Sequence, residues 1–263
     1  MTFDQLLLEW QTDRGATTVP SGWSQGRATF GGLIAAMLYE KMAAQVIGES
    51  SLRSLTLSFV SPVGASAVQL DAQVLRAGRS VTQAQGHLLQ EGAVMLAGLA
   101  SFGCGRESSV KVDTPAAPEF AAPEQCLALP YIEGVVPEFT QKYDYRIARG
   151  QLPFSGTEER QLGGWVRFND GSDGTVGISH LLALIDAWPP ATLAMLKAPA
   201  PASSLTWTVE LMEPLPQRRA SDWWQYLAEV EQAEDGYAVI QARLWDRHGK
   251  LAALSRQMVT IFG

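Results

Sequence analysis

Alternating apolar and polar side chains predict a series of β-strands along this chain. Leu55, Leu57 and Phe59 alternate with polar residues and are followed by Pro62, which is the pattern of a strand with one face in the core. Strand-like stretches that end in glycine-containing turns also cover residues 68–75, 81–89, 224–230 and 237–245. Short strands joined by such turns are typical of an antiparallel meander.

Two apolar stretches predict one long helix before each group of strands. The first is Gly31–Val46, and the second covers residues 176–185 and continues to Leu196. A helix that is apolar nearly all round is buried, so we expect each helix to be wrapped by a sheet. Shorter strand-like stretches lie upstream of the helices, at residues 26–28, 143–148 and 164–168.

The two halves of the chain repeat one pattern. Trp207, Val209 and Leu211 alternate with polar residues, and Pro214 follows 152 residues after Pro62. Turn glycines recur at spacings of 158 and 157 residues, in the pairs Gly78/Gly236 and Gly92/Gly249. Such self-similarity is the signature of a repeated supersecondary unit. The predicted fold class is therefore α+β, with one helix-and-sheet unit occurring twice in tandem.

A proline-rich segment separates the two halves. Five of the 14 prolines fall within residues 108–137. Proline fixes φ and removes a hydrogen-bond donor, so we expect neither a regular helix nor a central strand there. The predicted organisation is a first unit at residues 1–107, a linker at 108–137 and a second unit at 138–263.

Composition and charge exclude several classes of function. The 263 residues are 46% hydrophobic and 18% charged, and the net charge of -7 is spread along the chain. This composition supports a large buried core, and the acidic balance argues against nucleic acid as a partner. Cys104 and Cys126 are too few for a disulfide scaffold. None of the three histidines has a neighbour at ligand spacing, so we expect no metal site.

Other local patterns predict location but no further site. The first ten residues lack the basic start of a secretory signal, and no apolar run approaches the roughly 18 residues of a membrane span. We therefore expect a soluble, cytoplasmic protein without a membrane partner. Residues 169–174 resemble a calcium loop but lack the ordered ligands, and a formal S-x-x-K at 108–111 lies in the linker.

Four short motifs, taken in order, resemble the hotdog fold. They are Phe30-Gly31-Gly32 at the start of a buried helix, a strand ending in Phe59-Val60-Ser61-Pro62, the turn Arg76-Ala77-Gly78-Arg79-Ser80, and Ala100-Ser101-Phe102. Their duplication in one chain is similar to the double-hotdog acyl-CoA thioesterases of the type II family. The resemblance implies hydrolysis of acyl-CoA thioesters, within fatty acid metabolism, with no cofactor and no covalent intermediate.

The resemblance also implies a set of catalytic residues. In the family, an Asp on the second helix, a Ser or Thr on the next strand and a Gln on the last strand hold the attacking water; Asp186, Ser204 and Gln257 occupy the matching positions. The best-known members carry an Asp-His pair just after the hydroxyl, which this chain lacks. Thr206 or Thr208 is therefore an alternative hydroxyl, because we expect all three to share one strand face.

The chemistry of these residues fits thioester hydrolysis. A carboxylate among Leu, Ile and Trp side chains, such as Asp186, is a candidate general base because desolvation raises its pKa. Backbone N–H groups at a helix N-terminus favour an oxyanion, and Gly31 and Gly32 begin the first helix. Glu40 also lies on an apolar helix, but we interpret it as a surface glutamate.

Structural interpretations of the same residues stay open at this point. Asp186 could cap the turn that starts at Pro189, and the two glycines could simply allow close helix–sheet packing. Ser204 could be a loop serine, and Gln257 could be an exposed residue on an alternating strand.

Two other functions also remain compatible with the pattern. A non-catalytic hotdog would bind acyl-CoA or lipid without turnover, and a hotdog dehydratase or hydratase would need a histidine paired with an acid. Only His180 lies near either helix. The carrier, CoA or acyl carrier protein, is left open, and we expect a homodimer formed through edge strands.

Overall fold

The computed structural model describes residues 1–12 and 16–262, and one antiparallel sheet of twelve strands dominates it. The strands of the first half are β1 (Ala16–Thr18), β2 (Ser24–Gln25), β3 (Ala28–Thr29), β4 (Ser51–Phe59), β5 (Ala67–Ala77), β6 (Val81–Gln90) and β7 (Ala93–Gly103). The later strands are β8 (Leu127–Ala128), β9 (Tyr143–Arg149), β10 (Gln161–Phe168), β11 (Ala202–Leu211), β12 (Trp224–Glu234), β13 (Tyr237–Asp246) and β14 (Leu251–Ile261). The helices are α1 (Phe3–Thr12), α2 (Gly31–Ala43), α3 (Ile178–Asp186) and α4 (Thr192–Met195).

The strand order shows two similar units joined edge to edge. It runs β1-β5-β6-β7-β4-β11-β14-β13-β12-β10-β9-β8, while β2 and β3 form a separate hairpin. Outward from the central β4–β11 pair, the strands follow in the order β7, β6 and β5 on one side and β14, β13 and β12 on the other. These are the matching strands of the two meanders. This arrangement confirms the predicted tandem α+β double hotdog.

The internal repeat is visible in the strand register. Thr56 pairs with Thr208, 152 residues away, so each lies opposite its own counterpart where the halves meet. The pairing of β4 with β7 shifts after Leu52, and the pairing of β11 with β14 shifts after Ser204, again 152 residues later. Both halves therefore contain the same β-bulge, which changes the face to which the following side chains point.

Helices α2 and α3 form the buried centre of the fold. Eight of the nine residues of α3 are buried, and α2 is buried from Gly32 to Leu38. A Cβ added at Gly32 would lie only 3.0 Å from the Cα of Ala183, so glycine permits the close approach of the two helices. Both helices are shorter than predicted: α2 ends at Ala43, and α3 ends at Asp186 because Pro189 and Pro190 interrupt it before α4.

The proline-rich segment lies along the second half of the sheet. The indole Nε1–H of Trp165 donates to the carbonyl of Ala121 at 2.9 Å, and that of Trp245 donates to the carbonyl of Pro115 at 3.0 Å. Further along, Leu127 and Ala128 pair with β9 at the edge of the sheet. Apart from a single 3-10 turn at Pro123–Gln125, residues 108–137 contain no helix and no central strand, which agrees with the proline content.

Helix α1 closes one end of the core. Phe3, Leu6 and Trp10 are buried, and the backbone N–H of Phe3 donates to Asp170 at 2.6 Å. Within residues 1–12 and 16–262, no helix is long and apolar enough to cross a membrane. Over the same ranges, no three His, Cys, Asp or Glu side chains are grouped to hold a metal ion.

Candidate active site

Asp186 ends α3 and lies against the first turn of α2. Its side chain is partly buried, and the backbone N–H of Gly32 donates to its carboxylate. A Cβ added at Gly31 would lie 2.7 Å from Oδ2 of Asp186 and 3.4 Å from the ring of Phe59. The carboxylate therefore meets the N-terminus of the other half's helix, where backbone donors and the helix dipole favour a negative charge.

Gln257 and Ser204 complete a chain of side-chain hydrogen bonds to this carboxylate. Gln257 Nε2 donates to Asp186 Oδ1 at 2.7 Å, and Ser204 Oγ donates to Gln257 Oε1 at 3.3 Å. A carboxylate only accepts hydrogen bonds, so it fixes the orientation of the amide, which in turn orients the hydroxyl. Oδ1 is thus held by Gln257, and Oδ2 faces the space left by the missing side chain of Gly31.

Burial makes the Asp186 carboxyl group a weaker acid than usual. Desolvation raises its pKa from 3.8 to about 7, although the hydrogen bonds from Gln257 and the Gly32 N–H act in the opposite direction. A base with a pKa near the working pH is half ionised there and still basic enough to accept a proton. The interpretation of Asp186 as a cap does not fit, because its carboxylate bonds across to α2 and to β14.

The predicted alternative hydroxyls lie elsewhere. Thr206 is exposed and pairs with Met258, one step after the β-bulge, whereas Ser204 lies before it and pairs with Val259. Thr208 points the same way as Thr206, and its hydroxyl lies 3.4 Å from that of Thr56. The expectation that the three hydroxyls share one strand face is therefore wrong, because the bulge adds a residue between Ser204 and Thr206.

Asp186 is surrounded by aromatic side chains that the sequence did not predict as part of the site. The rings of Tyr145 and Trp188 meet edge to face at 5.8 Å, and Trp188 stacks on Tyr226 at 5.2 Å. Tyr145 Oη donates to the carbonyl of Ala187, the residue after the carboxylate. Burial, followed by the nearby charge of Asp186, raises the pKa of both Tyr145 and Tyr226. The alternation of Tyr143, Tyr145 and Ile147 on β9 was the available signal for this shell.

His180 is engaged on both ring nitrogens. Its Nδ1 accepts from the backbone N–H of Gly177 at 3.2 Å, and its Nε2 lies 2.8 Å from Asp4 Oδ1. Because the first contact requires Nδ1 to be unprotonated, Nε2–H is the donor to Asp4. His180 is 4% exposed and joins α1 to α3, so it serves the packing of the helices.

Comparison with known proteins gives a family match to each half. Residues 19–103 match the family described as acyl-CoA thioesterase N-terminal domain, and residues 123–261 match the acyl-CoA thioesterase C-terminal domain. No curated protein sequence matches the chain.

Solved structures share the whole architecture at low sequence identity. A conserved hotdog-fold protein of unknown function from Alicyclobacillus acidocaldarius has a TM-score of 0.83 and 22% identity, over 96% of this chain and 94% of its own. The tesB protein of Mycobacterium avium subs paratuberculosis has a TM-score of 0.76 and 16% identity, over 98% and 99%. An acyl-CoA thioesterase II, TesB2, from Mycobacterium marinum has a TM-score of 0.70 and 20% identity, over 88% of each chain. These likenesses establish the fold, and the two domain matches establish that the chain belongs to the acyl-CoA thioesterase family.

Proposed function

We propose that this protein hydrolyses acyl-CoA thioesters, with Asp186 as the general base. The observation that carries the proposal is the carboxylate itself, which accepts from Gln257 at 2.7 Å and has a pKa raised to about 7 by burial. Family membership supplies the substrate class. The predicted units 1–107 and 138–263 both contribute, because α2 belongs to one and Asp186 to the other.

In the proposed reaction, Asp186 Oδ2 takes a proton from a water molecule beside Gly31. The water oxygen attacks the carbonyl carbon of the thioester, and the negative charge moves to the carbonyl oxygen. N–H groups in the first turn of α2 stabilise this oxyanion, since they have no acceptor within the helix. The N–H of Gly32 already serves Asp186, so the proposal assigns the oxyanion to the N–H of Gly31.

Collapse of the tetrahedral intermediate breaks the carbon–sulfur bond. CoA leaves as a thiolate and takes up the proton held by Asp186, which restores the base. The products are the free acid and CoA, with no covalent intermediate and no cofactor. Gln257 and Ser204 hold the carboxylate in one orientation throughout, which is the type of positioning that raises rate.

The test is release of free thiol from a panel of acyl-CoA esters of increasing chain length. We expect turnover by the native protein and a fall of about 1,000-fold in kcat for Asp186→Asn, because general base catalysis contributes about this factor. The matched control is Asp71→Asn, since Asp71 is an exposed carboxylate on β5 and should leave kcat unchanged.

Two results would contradict the proposal. Full activity of a folded Asp186→Asn variant would remove the base from the mechanism. Acyl-CoA binding without turnover at any chain length would instead indicate a binding protein. His180 is paired with an acid, Asp4, as the dehydratase alternative requires, but its other ring nitrogen accepts from the Gly177 N–H, so neither nitrogen is left to act on a substrate.

A further inference from the structure

A second hydrogen bond joins α2 and α3 at the end opposite Asp186. Ser179 Oγ donates to Glu40 Oε1 at 2.5 Å, and Gln11 Nε2 donates to Glu40 Oε2 at 3.3 Å. Ser179 is only 2% exposed, and Glu40 is partly buried. Glu40 is therefore not the surface glutamate that the apolar pattern of the helix suggested.

The two contacts between the helices begin at equivalent positions, one in the first turn of each helix. Phe30 and Gly177 are the N-caps, so Gly32 and Ser179 are each the second residue of their helix. Each of these residues donates to an acid on the other helix, Gly32 through its backbone N–H to Asp186 and Ser179 through its side-chain hydroxyl to Glu40. Glu40 therefore accepts from Ser179 much as Asp186 accepts from Gly32, although it is the tenth residue of α2 and Asp186 is the ninth residue of α3.

Two hydrogen bonds at the two ends of a helix pair determine how one helix sits along the other. At the Asp186 end, Gly32 also packs against the backbone of Ala183, which keeps the axes close. A helix rises 1.5 Å per residue, so a slide of one residue would move the Gly32 N–H by half the length of a hydrogen bond. At 2.5 Å the Ser179–Glu40 hydrogen bond is short, and a slide would lengthen it, so this contact opposes the slide.

We infer that Glu40 and Ser179 are positioning residues for the Asp186 site. They hold the first turn of α2 against Asp186, and so keep both the Gly32 N–H on the carboxylate and the Gly31 N–H beside the reacting carbonyl. This inference rests on the proposed function for its effect on rate. Its effect on the carboxylate can be measured whether or not the protein turns over acyl-CoA.

The inference predicts a change in the titration of Asp186. Among the described residues packed around it, the titratable groups whose pKa responds to its charge are Tyr143 and Tyr145 on β9 and Tyr226 on β12. All three have raised pKa values, so they stay neutral through the range in which Asp186 titrates. Loss of the Gly32 N–H would remove a contact that lowers the pKa of Asp186, and the ionisation should therefore move to higher pH.

The experiment compares Ser179→Ala, Glu40→Gln and Gln11→Ala. Ser179→Ala removes the donor, and we expect kcat to fall about tenfold with little change in KM, since a misplaced first turn weakens transition-state contacts. The acid limb of its pH–rate profile should move to higher pH. Glu40→Gln keeps an acceptor for Ser179 and should retain most of the activity. Gln11→Ala removes the other contact of Glu40 and should match the native protein.

A second readout separates this inference from the proposed function. The carboxyl carbon of Asp186, followed by NMR in protein labelled at aspartate, reports its ionisation directly. An upward shift in Ser179→Ala supports the inference even if no substrate is hydrolysed. An unchanged ionisation and an unchanged kcat in a folded but less stable Ser179→Ala protein would overturn it, because the contact would then only hold the fold together.

Discussion

The two halves of this protein share a backbone arrangement but carry different side chains at equivalent positions. Gln257 pairs with Trp207 in the second half, and the residues at the same place in the first half are Ala100 and Leu55. Ser204, which precedes the bulge in β11, corresponds to Leu52 in β4. Both Ala100 and Leu52 are fully buried.

Three side chains, and not the shared fold, therefore distinguish the proposed site in the second half from the equivalent region of the first half. The first half has an acid that accepts from the second residue of the opposite helix, as the second half does. The amide that donates to this acid is that of Gln11 on α1, whereas the places of Gln257 and Ser204 hold the apolar side chains of Ala100 and Leu52. We therefore expect chemistry at Asp186 and only structural support at Glu40.

The largest predicted effect is on the pH dependence of the free energy of unfolding, through Asp186. The folded-state pKa of Asp186 is about 7, above the ordinary value of 3.8, so folding favours its protonated form. The stability from this group is present below about pH 4 and is lost as pH rises through 7. At 1.36 kcal/mol for each unit of pKa, the loss is about 4 kcal/mol.

Replacement of Asp186 by Asn should remove that loss. The measurement is the free energy of unfolding in urea at a series of pH values. Between pH 4 and 8, this free energy should fall by about 4 kcal/mol more for the native protein than for Asp186→Asn. The variant should then be the more stable protein at pH 8, a trade of stability for activity. Equal pH dependence of the two proteins would mean that the carboxylate is not desolvated.

A smaller effect tests whether the first half could hold a site at all. Ala100→Gln would place a larger, polar side chain in a fully buried position between Leu55 and Ala84, and we expect the free energy of unfolding to fall by about 3 kcal/mol. Leu99→Gln, at the neighbouring position on β7, is the control, because Leu99 is 52% exposed and the change should cost less than about 0.5 kcal/mol. Equal costs at the two positions would show that the first half has room for a polar site.

Local patterns explain why so much of the fold was predictable. Strand alternation, turn glycines and the 152-residue repeat are local or periodic, and each predicted meander strand is present with its ends moved by only a few residues. The β-bulge after Ser204 was not predictable, since it adds one residue to a pairing that involves a distant strand. It reverses the face of Thr206 and Thr208, which a strict period of two places beside Ser204.

The candidate site was also predictable only in part. Asp186, Ser204 and Gln257 were found because a resemblance supplied their positions along the chain. The roles of Gly32, Glu40 and Ser179 depend on how α2 and α3 cross, and no alternation within either helix encodes that crossing. The same holds for the shell of Tyr145, Trp188 and Tyr226, which come from β9, the segment after α3, and β12.

The smallest predicted effect separates the hydroxyls on either side of the bulge. Ser204 Oγ donates to Gln257 Oε1 at 3.3 Å, a long contact one step removed from the proposed base, so Ser204→Ala should lower kcat by only about fivefold. Thr206→Ala, on the exposed face, should leave kcat unchanged in the same thiol-release measurement. A larger loss in Thr206→Ala than in Ser204→Ala would mean that β11 pairs without its bulge in solution, and the hydroxyl would then belong to Thr206. With the bulge in place, Leu52 occupies the position in the first half that Ser204 occupies in the second. The same β-bulge therefore supports a polar contact in one half and core packing in the other.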